Sequence, residues 1–169
     1  MRRATLLILL LLVVVPGAPD GGVRAQSASG DTAEWTVRRV DGGRSTTIDM
    51  RQLAEGSQEW FVSSKDLADM LGVGRFWRPD VRKLVLRIDD RRITFTVEAR
   101  SVVGDDDTFL LRQPVLYFEG EPWVPLEFLS SVLSKLTDRQ ASVDPEGRVI
   151  ALGERRLNVI GVDIATEGE

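Results

Sequence analysis

The most regular pattern in the chain is an alternation of apolar and other residues with a period of two. Leu84, Leu86 and Ile88 lie at alternate positions, and the same spacing returns in residues 93–97 after a charged turn. Successive residues of a strand point to opposite faces of a sheet. This spacing therefore predicts neighbouring strands with one face in the core.

Two short segments have the apolar spacing of a helix instead. Ser63 can cap the first helix, with Asp66 three positions later to complete a capping box, and Gly72 is typical of a helix end. The second helix follows Pro125, which ends the preceding strand. The predicted apolar faces are Leu67, Ala68, Met70 and Leu71 in the first helix and Phe128, Leu129, Val132, Leu133 and Leu136 in the second.

One strand–helix–hairpin pattern occurs twice, in residues 59–97 and in residues 122–162. Each copy has a tryptophan near its start, Trp60 or Trp123. Both copies continue from the helix into a proline-containing turn and an apolar strand. Such recurrence is typical of a module built by duplication. We therefore predict an α+β fold with antiparallel, short-stranded sheets and two short helices, built from an internal duplication.

The amino terminus has the features of a secretion signal. Two arginines precede an unbroken apolar run at residues 6–15, which is shorter than the roughly 20 apolar residues of a membrane-spanning helix. Residues 23–25 fit the small-x-small cleavage pattern, with an uncleaved membrane anchor as the alternative. The predicted division is a signal peptide at residues 1–25, a flexible leader at 26–33 and one domain at 34–165.

The composition limits both partners and chemistry. Removal of residues 1–25 takes away three arginines and one aspartate, which leaves 19 basic and 25 acidic residues. This balance argues against nucleic acid and against electrostatic docking to an anionic membrane. The chain has no histidine and no cysteine, so metal sites and nucleophile systems that need those residues are excluded. We predict no catalytic residue, no metal ligand and no cofactor-binding residue.

Carboxylate chemistry stays open, because two acids can hydrolyse a glycoside without histidine. A histidine-free glycosidase is therefore an alternative, although no pair of acids stands out. Glu119 and Glu121 flank a hairpin turn and are predicted to be solvated. The acidic run at residues 105–107 lacks the spacing and the closing glutamate of a calcium loop. We predict a solvated acidic loop there, with oxygen ligands for calcium as the alternative.

The four tryptophans are candidates for sugar binding, since exposed aromatic rings can form a stacking platform. Trp60 and Trp123 hold matching positions in the two copies, which favours a packing role. Trp77 lies beside a turn and is predicted to be half exposed, and Trp35 is the least constrained. Three arginine pairs, at residues 38–39, 91–92 and 155–156, are predicted to be solvated charges at turns and edges, with binding of an anionic polymer as the alternative.

Residues 123–129, Trp-Val-Pro-Leu-Glu-Phe-Leu, and the hairpin at residues 144–150 resemble the copper amine oxidase N-terminal-like domain, also called a stalk domain. Residues 77–80 resemble the same hairpin in the first copy, which departs from the pattern at residues 63–64. The likeness covers residues 59–152. It implies an extracytoplasmic, non-catalytic module without copper ligands, of a kind often found ahead of the catalytic domain of bacterial N-acetylmuramoyl-L-alanine amidases.

From this resemblance we predict a secreted, non-catalytic envelope module that binds or spaces at the cell wall, in the periplasm or outside the cell. Its expected partner is peptidoglycan or an envelope protein, without nucleic acid and without a membrane span after signal cleavage. The alternative is a truncated or fragmentary amidase whose zinc catalytic domain lies beyond residue 169.

Overall fold

The structure of the protein is a computed structural model that describes residues 30–53, 58–105 and 107–154. Of these residues, 52% are in strands and 15% in helices. The strands form a curled sheet of seven and a second sheet of five. The predicted α+β class is therefore wrong, because the described part of the chain is mostly β and the helical segments between its strands are short.

Twelve strands are present in the described residues. In chain order they are β1 (Thr32–Arg39), β2 (Thr46–Arg51), β3 (Phe61–Ser63), β4 (Gly74–Arg78), β5 (Lys83–Ile88), β6 (Arg91–Thr96), β7 (Ser101–Val103), β8 (Thr108–Leu110), β9 (Leu116–Phe118), β10 (Glu121–Pro125), β11 (Arg139–Asp144) and β12 (Val149–Glu154).

The seven-stranded sheet has the order β11-β12-β1-β2-β3-β10-β9. Its strands β3 and β10 are the equivalent strands of the two sequence copies, and they pair antiparallel with Val62 opposite Val124. The backbone N–H of Leu126 extends this contact by donating to the carbonyl oxygen of Trp60 at 2.8 Å. The two copies are therefore joined directly, at matching positions.

A parallel pair, β1 with β12, contradicts the predicted antiparallel arrangement. Thr36 lies opposite Val149 in this pair. The reason is that β1 comes from outside the repeated segments and occupies the place beside β12. In the first copy the corresponding strand β5 has β6 beside it, and that pair is antiparallel.

β1 also begins earlier than the predicted domain. It starts at Thr32, and Ala33 is buried with 6% of its surface exposed. Because Ala33, Trp35 and Val37 alternate into the core, the last two residues of the predicted leader belong to the sheet. Residues 26–29 of that leader and the predicted signal peptide lie outside the described residues.

The five-stranded sheet has the order β4-β5-β6-β7-β8 and is antiparallel throughout. The predicted alternation in this region is confirmed, because Leu84, Leu86 and Ile88 of β5 are completely buried. The next strand, β6, buries Ile93 and Phe95 in the same way. One face of this sheet therefore lies in the core.

The helix α1 (Ser64–Leu71) has the ends that the sequence predicts. The Ser63 hydroxyl oxygen accepts the backbone N–H of Asp66 at 3.0 Å and donates to the Asp66 carboxylate at 2.9 Å. Gly72 ends the helix in the left-handed region, with φ of 64°. A residue with a Cβ is strained in that conformation, which explains the glycine.

The second helical segment is irregular. A π-helical stretch, Phe128–Val132, continues directly into the single α-helical turn α2 (Leu133–Leu136). Its predicted apolar face is confirmed, because Phe128, Leu129, Val132, Leu133 and Leu136 are all buried. Phe128 packs edge-on against Phe95 of β6, with the ring centroids 4.9 Å apart. One hydrophobic core therefore connects both sheets and both helical segments.

Candidate binding surface

The tryptophans occupy different environments in the fold. Trp35 is completely buried and meets Trp60 edge-on, with the ring centroids 5.7 Å apart. Trp123 is 5% exposed, and Trp60 is partly buried against the core. The predicted packing role of Trp60 and Trp123 is confirmed. The interpretation of Trp35 as the least constrained is wrong, because its place in β1 directs its ring inwards.

Trp77 is half-buried, as predicted, and stacks on an exposed tyrosine. The ring centroids of Trp77 and Tyr117 are 5.6 Å apart, and their planes differ by 26°. Tyr117 is 48% exposed, and its hydroxyl donates to the carbonyl oxygen of Gly120 at 3.0 Å. Trp77 lies on β4 and Tyr117 on β9, which are edge strands of different sheets. Trp77 also packs against the core, so Tyr117 is the more exposed ring of this pair where the sheet edges meet.

A polar cluster lies next to these rings. Arg75 precedes Trp77 by two positions on the same face of β4, about 7 Å along the strand. Its Nη1 donates to the Ser64 hydroxyl at 2.8 Å and contacts the Glu121 carboxylate at 3.4 Å. The Ser64 hydroxyl in turn donates to Glu121 at 3.2 Å. We define the aromatic edge as Trp77, Tyr117, Arg75 and Glu121.

The aromatic edge combines ring faces with charged groups that remain accessible. The side chains of Arg75 and Glu121 are 32% and 29% exposed. The prediction that Glu121 is solvated is therefore only partly right, because Arg75 and Ser64 engage its carboxylate. Glu119 is 56% exposed and pairs with Arg51 at 2.7 Å. Aromatic rings near a guanidinium group and a carboxylate suit a ligand that has one apolar face and hydroxyl groups around its edge.

The structure also brings together two carboxylates that sequence reasoning did not pair. Glu59 Oε1 accepts the backbone N–H of Glu127 at 3.0 Å, and Glu127 accepts the backbone N–H of Arg112 at 2.6 Å. Burial raises the pKa of Glu59, and the negative charge of Glu127 adds to this effect against the opposing backbone hydrogen bond. Both carboxylates bind backbone N–H groups, which indicates a structural role at the start of the second helical segment.

Two arginines fix the end of α1. Arg39 is exposed, as predicted, and also donates to the carbonyl oxygen of Met70 at 3.1 Å. Arg139, which sequence reasoning missed, donates to the carbonyl oxygen of Leu71 and pairs with Asp89 at 2.6 Å. Both guanidinium groups therefore satisfy carbonyl groups that a helix end leaves without partners. The pair at residues 155–156 lies outside the described residues.

A groove of about 960 Å³ opens beside these arginines, between the ends of β1 and α1 and the β11–β12 hairpin. Its size is within the range of small-molecule sites. None of its described lining residues is aromatic. The groove therefore offers less than the aromatic edge for a sugar ligand.

The predicted acidic loop is described in part. Asp105 and Asp107 are exposed, and Asp106 lies outside the described residues. The Asp105 carboxylate accepts the backbone N–H of Arg92 at 3.2 Å. Within the described ranges, no three acidic side chains are grouped so that they could hold a metal ion. No helix in this part of the chain has the length and the apolar character needed to cross a membrane.

A comparison with known families gives one match. The copper amine oxidase N-terminal domain matches residues 40–146, which include both helical segments and the whole aromatic edge. This confirms the resemblance that the sequence indicates. No curated protein and no solved structure matches the chain. The residues do not fit a copper ion, because histidine and cysteine, the ligands typical of copper sites, are missing from the chain.

Proposed function

Because the chain belongs to the copper amine oxidase N-terminal domain family, we propose that it is a secreted, non-catalytic accessory module that binds the glycan of the cell wall. In that family this domain alone is non-catalytic. The proposed role is to hold or space a protein at peptidoglycan, as the accessory region of an N-acetylmuramoyl-L-alanine amidase would.

The observation that carries this proposal is the stacked pair of Trp77 and Tyr117. The planes of the two stacked rings differ by 26°, and both rings keep part of their surface accessible. The rings cover part of each other, and the ring surface that stays accessible, mainly that of Tyr117, can pack against the apolar face of a sugar. Arg75 lies two positions from Trp77 on β4 and contacts Glu121, and these two side chains supply a hydrogen-bond donor and an acceptor for sugar hydroxyl groups.

The geometry also makes the surface rigid before a ligand arrives. The Tyr117 hydroxyl is bound to Gly120, and Arg75 is held by Ser64 and Glu121. Groups that are already ordered lose less conformational entropy on binding. An aromatic edge whose side chains are already ordered suits weak binding to the repeating sugar units of peptidoglycan.

Sedimentation with insoluble peptidoglycan tests the proposal. We expect the purified protein to pellet with the polymer, and Trp77→Ala or Tyr117→Ala to weaken binding about tenfold, as loss of a central aromatic contact does. Val81→Ala is a matched control, because Val81 is 42% exposed at a turn. Unbound wild-type protein at low and moderate salt would reject the proposal, as would equal binding of all three variants.

Export is tested separately by mass spectrometry of the protein recovered from the cell envelope and the medium. The proposal predicts a product that begins at Gln26, after cleavage behind Ala25. Protein that keeps residues 1–25 and is confined to the cytoplasm would contradict secretion. It would not change the outcome of the sedimentation experiment with peptidoglycan.

A further inference from the structure

The five-stranded sheet has a second face, opposite the core, with a continuous row of apolar and threonine side chains. The strand registers place Phe76, Val85, Thr94, Val103 and Thr108 opposite one another in sequence across all five strands. Phe76 is 63% exposed and Val103 is 41% exposed. We call this row the apolar stripe, and it spans about 19 Å because neighbouring strands lie about 4.8 Å apart.

Basic residues flank the apolar stripe on both sides. Lys83 and Arg87 lie two positions before and after Val85 on β5, so their Cα atoms are separated by about 13 Å. Arg92 of β6 lies directly opposite Arg87. All three are exposed. Of the ion pairs in the described residues, none includes the side chain of Lys83, Arg87 or Arg92.

Arg87 and Arg92 place two like charges directly opposite each other on neighbouring strands. Like charges directly opposite each other on neighbouring strands destabilise a sheet. The nearby Asp105 carboxylate binds the backbone N–H of Arg92. An anionic partner that reaches both guanidinium groups would remove their repulsion and form charge-assisted hydrogen bonds.

We propose that this face docks an acidic, amphipathic helix of a partner protein. The apolar stripe has the length of about 13 helical residues at 1.5 Å per residue. An apolar helix face would cover Phe76, Val85 and Val103, with carboxylates on one flank reaching Arg87 and Arg92. Carboxylates on the other flank would reach Lys83. This surface is separate from the aromatic edge, so the inference does not depend on the wall-binding proposal.

The charge of the surroundings favours a protein partner over a membrane. Exposed acids stand at the turns around the same sheet, among them Asp80, Asp90 and Asp105, and the whole chain has a net charge of −4. A planar anionic membrane would meet these acids together with the basic residues. A single helix along the apolar stripe can contact the basic residues alone.

The experiment measures fluorescence anisotropy of a labelled helical peptide of about 14 residues with a leucine stripe flanked by glutamates. The purified protein should bind it, and the Arg87→Glu/Arg92→Glu double variant should bind at least about tenfold more weakly. Arg38→Glu is the matched control, because Arg38 is an exposed arginine on β1 of the other sheet, and it should change binding less than about twofold.

A charge-swapped peptide with lysines in place of the glutamates separates a specific contact from a general loss of folding. The double variant should bind this peptide better than the wild type does. The inference is overturned if the wild type binds neither peptide or binds both equally. It is also overturned if poly-glutamate or phosphatidylglycerol vesicles bind the wild type more tightly than the glutamate peptide.

Discussion

Two carboxyl groups in this fold have pKa values that their surroundings shift in opposite directions. Glu59 is raised in pKa by burial and by Glu127, which belongs to the other sequence copy. Asp80 shows the opposite effect, because the hydrogen bond from Arg78 lowers its pKa below 3.8. The two carboxyl groups therefore contribute to stability with opposite dependence on pH.

At Glu59 we predict a stability contribution that is lost as the pH rises. Its folded pKa lies above the ordinary 4.5, so the contribution is complete below pH 4.5 and falls through the raised value. Glu59→Gln keeps an acceptor for the Glu127 N–H and removes the titration. Urea unfolding should show the free energy of unfolding of this variant rising relative to wild type between pH 4.5 and neutral pH.

Asp80→Asn is the control of opposite sign. The Asp80 contribution is present above pH 3.8 and is lost as the pH falls. This variant should therefore lose stability relative to wild type as the pH rises from acid to neutral. A stability difference for Glu59→Gln that stays constant with pH would show that the carboxyl does not titrate differently in the folded protein.

Among the helices and strands, features that depend on neighbouring residues could be predicted from the sequence. The pairing of strands that are distant in the chain could not. The cap at Ser63, the end at Gly72 and the alternation in β5 follow from neighbouring residues. The parallel pairing of β1 with β12 depends on two strands from opposite ends of the described chain. The fold class was wrong because strands hold 52% of the described residues and helical segments only 15%.

The cap of α1 provides a prediction about one element. Ser63→Ala removes the acceptor of the Asp66 N–H and should lower the free energy of unfolding by about 1 kcal/mol. Ser63→Thr keeps a hydroxyl oxygen and should recover most of this loss. Chemical unfolding followed by circular dichroism gives both values. Equal stability of Ser63→Ala and wild type would mean that the hydroxyl does not hold the start of the helix.

At the scale of the whole molecule, the proposed binding surface exists only because two sheets meet. Trp77 comes from the first copy and Tyr117 from the segment before the second, and their rings stack where β4 and β9 form sheet edges. The sequence indicates Trp77 as half exposed. It contains no signal for Tyr117, because the contact depends on how the two sheets pack.

Glycan binding at the aromatic edge is tested most directly by following the four tryptophan indole N–H signals by NMR during titration with soluble peptidoglycan fragments. We expect the Trp77 signal to shift in a saturable way while that of the buried Trp35 stays unchanged, and the fragments to remain intact. An unchanged Trp77 signal at high fragment concentration, or cleavage of the fragments by the purified protein, would contradict a non-catalytic module that binds glycan at this edge.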